Sequence, residues 1–215
     1  MKDHKNTKQS GKYSMLASDA VVMRTIQALQ AKNFIPILVH TKEEALAKVK
    51  ELVPKGVSVM NGSSTTLGQI GYIQYLESGQ HPWNDLHSKI NSENDNIKRQ
   101  ELRKQSVLSD YYLGSVHALT EDGQLLIASN TGSQLPHIVF TSPHIIFVVS
   151  TKKIVTNLQE ALQRLEEYVV PLEDERMQKT MGMSTSLNKI AIIKNDPDFL
   201  NRKIYILLVE EDLGF

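Results

Sequence analysis

Between Ile35 and Met60 the chain sets down a short β-branched run (Ile35–His40, IPILVH), an amphipathic helix and a second apolar run (Val57–Met60) in immediate succession. Thr41 and Glu44 form a T-x-x-E box that satisfies the free amides of a helix start. Ala45, Leu46, Val49, Leu52 and Val53 then fall on one stripe, and Pro54-Lys55-Gly56 ends the helix. Strand, helix and strand at this spacing make a βαβ unit, whose connection is right-handed and whose two strands run parallel. The unit confines the chain to the α/β class. Ile145–Ser150 (IIFVVS) and Ile204–Val209 (IYILLV) extend the argument, because nearly continuous apolar runs belong to strands covered on both faces.

The remaining elements follow from the same signals. Ser18 or Asp19 starts a helix with Val22, Thr25, Ile26 and Leu29 on one face, stopping near Asn33. Thr66 with Gln69 offers a capping box for a helix running from the Asn61–Gly71 segment to about Leu76, with Gly68 and Gly71 allowing close approach to the sheet. Residues 80–105 turn polar; they read as a loop around His81-Pro82-Trp83 and an exposed helix, a candidate lid. Tyr111–Leu119 and Gln124–Ser129 read as strands joined by a hairpin turn at Thr120-Glu121-Asp122-Gly123. Asn157 and Glu160 cap a helix that Pro171 stops, and Ile190–Lys194 is a further strand.

A chain of 215 residues buries about 70% of its unfolded surface and needs no staple. One domain over residues 17–215, preceded by a flexible polar arm over 1–16, is the simplest organisation. The absence of cysteine excludes a thiol nucleophile, a disulfide framework and an intrinsic cysteine-ligated cluster or zinc site. Lys+Arg and Asp+Glu balance at 24 each, so there is no basic field for nucleic acid, and Lys2, Lys5, Lys8 and Lys12 read as a solvated run. No apolar stretch suits a leader or a membrane span, which points to the cytoplasm.

Three places could carry chemistry. The loop Asn61, Gly62, Ser63, Ser64, Thr65 and Thr66 joins a buried strand to a helix start, where free amides and about +0.5 charge from the helix dipole favour an anion. It is neither a Walker A loop nor G-x-G-x-x-G, and a well-capped turn with spare hydroxyls would look the same. Glu121 and Asp122 at a strand end are candidate acid/base groups, although Asp-Gly in a hairpin needs no catalysis to explain it. Asn130, Thr131 and Gly132 offer a second cluster of backbone donors, or an ordinary cap. His117 lies near the hairpin, within reach of a site or simply satisfied in the core. Lys152, Lys153 and Arg176 could each hold a carboxylate. The seven histidines show no H-E-x-x-H spacing, so no metal site is expected, and there is no G-x-S-x-G elbow.

Taken together, Asn61–Gly71 (NGSSTTLGQIG), Gly114–Gln124 (GSVHALTEDGQ), Asn130-Thr-Gly132, Lys153-Ile-Val155, Pro171 with Arg176, and Leu208–Phe215 (LVEEDLGF) resemble the LUD-domain family. These are the lactate-utilisation proteins of the LutC/YkgG kind, formerly DUF162. The resemblance implies a NagB/RpiA/CoA transferase-like fold, a three-layer α/β/α sandwich with a mainly parallel sheet. It implies that the loop matching Asn61–Thr66 holds phosphate or another small anion, with Glu121–Gly123 and Asn130–Gly132 opposite and Lys153 alongside. It also implies a part in oxidising L-lactate to pyruvate beside iron–sulfur partner proteins, with no cofactor intrinsic to the chain. Self-association stays open. Ser133-Gln134 stand where the family carries Asn-Arg, and Lys152 replaces an Asn.

Three functions remain in play: an anion-binding lactate-utilisation protein, a non-catalytic scaffold subunit of an iron–sulfur oxidoreductase, and an isomerase or acyl-transfer enzyme using Glu121.

Overall fold

In a computed structural model of the protein, residues 11–215 are described. In chain order the elements are α1 (Asp19–Gln30), β1 (Ile35–Val39), α2 (Lys42–Leu52), β2 (Ser58–Asn61), α3 (Thr65–Gln69), α4 (Tyr72–Glu77), β3 (Asn84–Asp85), α5 (Leu86–Ser92) and α6 (Asn96–Gln105). They continue with β4 (Tyr111–Gly114), β5 (Ala118–Thr120), β6 (Leu125–Ser129), β7 (His144–Ser150), β8 (Ile154–Val155), α7 (Leu158–Arg164), α8 (Val170–Met181), β9 (Lys189–Ile193) and β10 (Lys203–Val209).

Six strands form one sheet in the order β1-β10-β7-β4-β2-β3, and every neighbouring pair in it is parallel. The two strands of the βαβ unit therefore share a direction, with β10, β7 and β4 between them. Side chains alternate across this sheet with the two-residue period of a strand. Leu113, Ile146, Val148 and Leu207 face a core closed by Val49 of α2, Leu67 of α3 and Leu76 of α4. Tyr112, Ile145, Phe147 and Ile206 face the other side, where Val22 and Leu29 of α1 share the cover with Leu119, Leu125 and Ile127. Those last residues belong to a smaller sheet, β8-β5-β6-β9, in which β5/β8 is parallel and β5/β6 and β6/β9 antiparallel. Its outer face, Ala118 and Leu126, is covered by Ala161 and Leu165. Helices thus lie on both sides of a mainly parallel sheet, and the small sheet is inserted on one side.

Local chemistry explains most boundaries. The Thr41 hydroxyl accepts from the Glu44 amide at 3.1 Å, while the Glu44 carboxylate reaches back to the His40 amide at 2.8 Å. Asn157 and Glu160 repeat the arrangement at α7. Ser18 precedes α1 without a side-chain cap. The exposed helix expected near residue 97 is α6, which buries no residue. Trp83 is core, its indole N–H donating to the Val53 carbonyl at 3.0 Å.

Four boundaries depart from the sequence reading. The helix expected to run to Leu76 is two helices, broken where Gly71 takes φ +81, and its cap is Ser64, not Thr66. The strand expected over 111–119 is β4 in one sheet and β5 in the other. The chain changes sheets through Ser115-Val116-His117. Pro171 does not stop its helix. A π-helical turn over Leu165–Val169 precedes α8, and the widened spacing accommodates a residue that has no N–H and clashes with the preceding turn. Packing also begins earlier than residue 17: Tyr13 is buried, with its ring 5.6 Å from that of Tyr168, and Lys12 pairs with Glu160 at 2.6 Å. Lys2, Lys5 and Lys8 lie outside the described residues.

Candidate functional site

The C-terminal ends of β2, β4 and β7 open into a cavity of about 310 Å³, where open α/β sheets place their ligands. Ser63–Thr66 after β2, Ser115–His117 at the change of sheets, Asn130 and Thr131 after β6, and Lys153 after β7 give it a polar end. Leu165, Val169, Met177 and Leu187 make the apolar wall opposite, supplied by the π turn, α8 and the irregular segment leading to β9. None of residues 80–105 lines it.

Lys153 is 3% exposed. Its ammonium donates to the Thr66 hydroxyl at 3.1 Å, the Ser115 hydroxyl at 3.1 Å and the Val116 carbonyl at 3.2 Å. Ser115 in turn donates to the Val148 carbonyl at 2.6 Å, which leaves its lone pairs for the lysine. All three partners are neutral, and among the described residues no carboxylate pairs with Lys153. Burial, then the positive charges of Arg164 and Lys152, hold its proton affinity well below the ordinary lysine range. The neighbouring Lys152 differs: it pairs with the exposed Asp212 and donates to the Gly214 carbonyl at 2.7 Å.

His117, half-buried where it lines the cavity, accepts the Ala128 backbone N–H on Nδ1 at 3.0 Å. That bond puts the proton of the neutral ring on Nε2. Burial, with help from the Lys153 and Arg164 charges, pushes its pKa down to about 3, so the ring is a neutral donor at physiological pH. Arg164 is fully buried between Tyr13 and Tyr168, 5.6 and 5.2 Å from their ring centres, and one of its nitrogens donates to the His117 carbonyl. Burial lowers its pKa to about 10. It fixes the backbone that presents His117.

Gly214 packs against this cluster. It takes φ +67, its amide donates to Gln69 Oε1 at 2.5 Å, and a Cβ there would sit 2.8 Å from Lys153 Nζ and closer still to the Thr66 hydroxyl. At the cavity's edge Arg176 of α8 holds Glu173 through two bonds of 2.7 Å and reaches the Ser63 hydroxyl at 3.2 Å.

The residues singled out by sequence divide clearly. Gly62, Ser63, Ser64, Thr65, Thr66, Asn130, Thr131 and Lys153 line one cavity. Asn61 is buried behind it, bonded to His87 at 3.2 Å, and Gly132 lies just outside, its amide held by Ser129 at 2.9 Å. Glu121 and Asp122 are elsewhere. They sit at the far end of β5, Glu121 paired with Arg24 at 2.9 Å and Asp122 with Lys32 at 3.5 Å, and neither lines the cavity. The helix-dipole argument also weakens, because α3 has five residues rather than a full helix; positive charge at this site comes from Lys153. Gln134, where a family cation was expected, spends its amide on the Ala128 carbonyl at 2.9 Å. Sequence reading passed over Ser115 and the apolar wall, which no local motif marks. Among the described residues, no cluster of His, Asp and Glu is placed to hold a metal ion, and no helix is long and apolar enough to cross a membrane.

Comparison with known proteins places this geometry. The structure is similar to a DUF162 family protein from Deinococcus radiodurans, with a TM-score of 0.53 at 10% identity over 91% of this chain and 99% of that one, a likeness of fold. Ribose 5-phosphate isomerase A from Neisseria gonorrhoeae gives a TM-score of 0.38 at 12% identity over 81% and 94% of the two chains, too slight to bear on function. None of the curated proteins matches this chain in sequence. The model of the LUD domain family matches residues 22–209, which is most of the chain, and the protein belongs to that family.

Proposed function

We propose that this protein supports lactate utilisation by binding a small organic acid, lactate or its 2-oxo counterpart pyruvate, at the polar end of the cavity. The observation that carries this reading is Lys153: a buried lysine whose hydrogen-bond partners are all neutral and with which, among the described residues, no carboxylate pairs. A buried unpaired charge is costly, and the cost is relieved when a carboxylate enters and restores the proton. Ser63–Thr66 supply hydroxyls and amides to the acid, and the Nε2–H of His117 donates to its 2-oxygen. Leu165, Val169, Met177 and Leu187 exclude water from the other side.

Electron transfer in lactate oxidation then falls to iron–sulfur partner proteins in the cytoplasm, because a chain without cysteine cannot ligate such a cluster through thiolates. The acyl-transfer alternative relied on Glu121, which stands outside the cavity and is already paired. The test is thermal unfolding of the whole protein with lactate, pyruvate or phosphate. A ligand at 100 times its Kd stabilises the native state by about 2.7 kcal/mol. A rise in Tm with the organic acids that disappears in Lys153→Met supports the reading; no rise with any of the three, or an undiminished rise in the variant, overturns it.

A further inference from the structure

A lysine in this setting can do more than neutralise a carboxylate. Lys153 Nζ stands at the end of a side chain that lines the cavity, shielded from bulk water and beside two further cations, Lys152 and Arg164. Desolvation and neighbouring positive charge are the conditions that leave a lysine as a free amine, and a free amine is a nucleophile toward carbonyl carbon. The hydrogen bonds of Nζ suit that state as well as the charged one. Two amine hydrogens reach Ser115 Oγ and the Val116 carbonyl, and the nitrogen lone pair accepts the Thr66 hydroxyl, for which no other acceptor is found among the described residues. His117 adds a neutral N–H donor in the same cavity, and its Nδ1 is occupied by the Ala128 amide, so it can polarise a carbonyl oxygen without removing the proton of the amine.

We infer that Lys153 is a nucleophilic residue that condenses with the carbonyl carbon of a bound 2-oxo acid to form an imine. The inference rests on the small-acid reading above and goes beyond it, since lactate would bind at the same place without reacting. In the step, the Nζ lone pair attacks the 2-carbon while the carbonyl π electrons move to an oxygen held by the His117 Nε2–H. The carbinolamine then loses that oxygen as water, which carries away both amine hydrogens. One C–N double bond replaces one C–O double bond, and nothing is oxidised or reduced. The Ser63–Thr66 loop, not Lys153, then holds the carboxylate of the oxo acid, and the imine would activate the carbon next to it for proton exchange or carbon–carbon chemistry.

The experiment is reductive trapping. The whole protein is incubated with pyruvate and sodium cyanoborohydride, which reduces iminium ions far faster than ketones, and the product is read by intact mass and peptide mapping. One stable adduct per chain on the Lys153 peptide is expected, slowed by added lactate and absent when lactate replaces pyruvate. Lys153→Arg cannot condense; its folding is checked by circular dichroism and its unliganded Tm, and it is expected to lose the adduct. Labelling scattered over exposed lysines, or unchanged in Lys153→Arg, overturns the inference. If lactate and pyruvate both raise Tm and no adduct forms, the imine fails and the binding site stands. If neither raises Tm and no adduct forms, the site reading itself has failed.

Discussion

The two ends of β5 carry opposite lessons about charge. At one end, Glu121 and Asp122 sit in the hairpin turn, Asp122 exposed and Glu121 half-buried, each within reach of a cation from α1 or the residues after it. At the other, four residues before Glu121, His117 opens into the cavity that Lys153 also lines, a lysine withheld from solvent with which no carboxylate pairs among the described residues. The acidic pair is conspicuous in sequence and ordinary in the fold. The basic pair is ordinary in sequence, a lysine after a strand and a histidine before one, and becomes chemically exceptional through burial. A charged residue acquires altered reactivity where the protein removes both water and counter-charge.

The sharpest way to break the comparison is Lys153→Met, which fills similar volume without a charge. Ligand-induced stabilisation is expected to vanish, a loss of about 2.7 kcal/mol at 100 times Kd. The unliganded protein is expected to hold its stability or gain about 1–3 kcal/mol, since replacing a buried charge by a well-packed apolar side chain is often neutral or better. Thermal melts with and without pyruvate check both. A variant that unfolds would mean that Lys153 is a structural bond donor and that the two ends of β5 do not differ in kind.

Gly214→Ala tests the packing behind the lysine. The positive φ and the crowding against Thr66 and Lys153 together cost about 2–3 kcal/mol, and the displaced lysine should blunt the ligand response. Chemical denaturation with a parallel ligand titration separates the two effects; full stability with a normal ligand response would show that Gly214 does not hold Lys153 in place.

Much of this molecule could be read before its structure, for reasons visible in particular residues. Ile145–Ser150 and Ile204–Val209 have to be buried strands, because apolar residues at nearly every position leave no solvent face, and the T-x-x-E and N-x-x-E caps mark α2 and α7 by local hydrogen bonding alone. The Ser63–Thr66 loop was legible for the same reason: its hydroxyls and its strand–helix position are contiguous in sequence. What could not be read depends on distant chain. Sequence carries one helix through Gly71 and stops another at Pro171, and only packing decides that the first is broken and the second is absorbed by a π turn that carries Met177 over the cavity. The change of sheets at Ser115–His117 turns one apparent strand into two and brings His117 to Lys153, which no spacing rule encodes.

The acid limb of stability should report His117 with a smaller effect. His117 has a folded pKa of about 3 against 6.5 when free, so the unfolded chain binds the proton first. Its contribution is complete above pH 6.5 and is lost as pH falls toward 3, at up to about 1.4 kcal/mol per unit in that window. His137, held by Ser109 and Ser142 and pushed down to about 4 by burial, loses stability over an overlapping range. His117→Gln keeps an acceptor for the Ala128 amide and cannot titrate. Between pH 6 and 4.5 it should therefore lose about 2 kcal/mol less than the wild type in urea unfolding. Equal slopes would assign the whole acid limb to His137 and leave His117 without the enclosure argued for it.

The smallest effect belongs to the conspicuous pair. Glu121→Gln and Asp122→Asn should each change stability by less than about 1 kcal/mol, because exposed ion pairs are weak and salt-screened. The Asp122 carboxyl is held below its ordinary range first by the Thr120 hydroxyl, then by Gln124 and Lys32. Its small share is therefore present at neutral pH and lost as pH falls through the carboxylate range. In neither variant should the Tm response to pyruvate or the trapping at Lys153 change, because β5 separates these side chains from the cavity. High salt should erase most of the difference from wild type, whereas the response that depends on buried Lys153 should persist. The comparison would fail at its first premise if Glu121→Gln abolished the ligand response: the carboxylate would then have to act on the cavity through β5, and exposure would not be what divides its two ends.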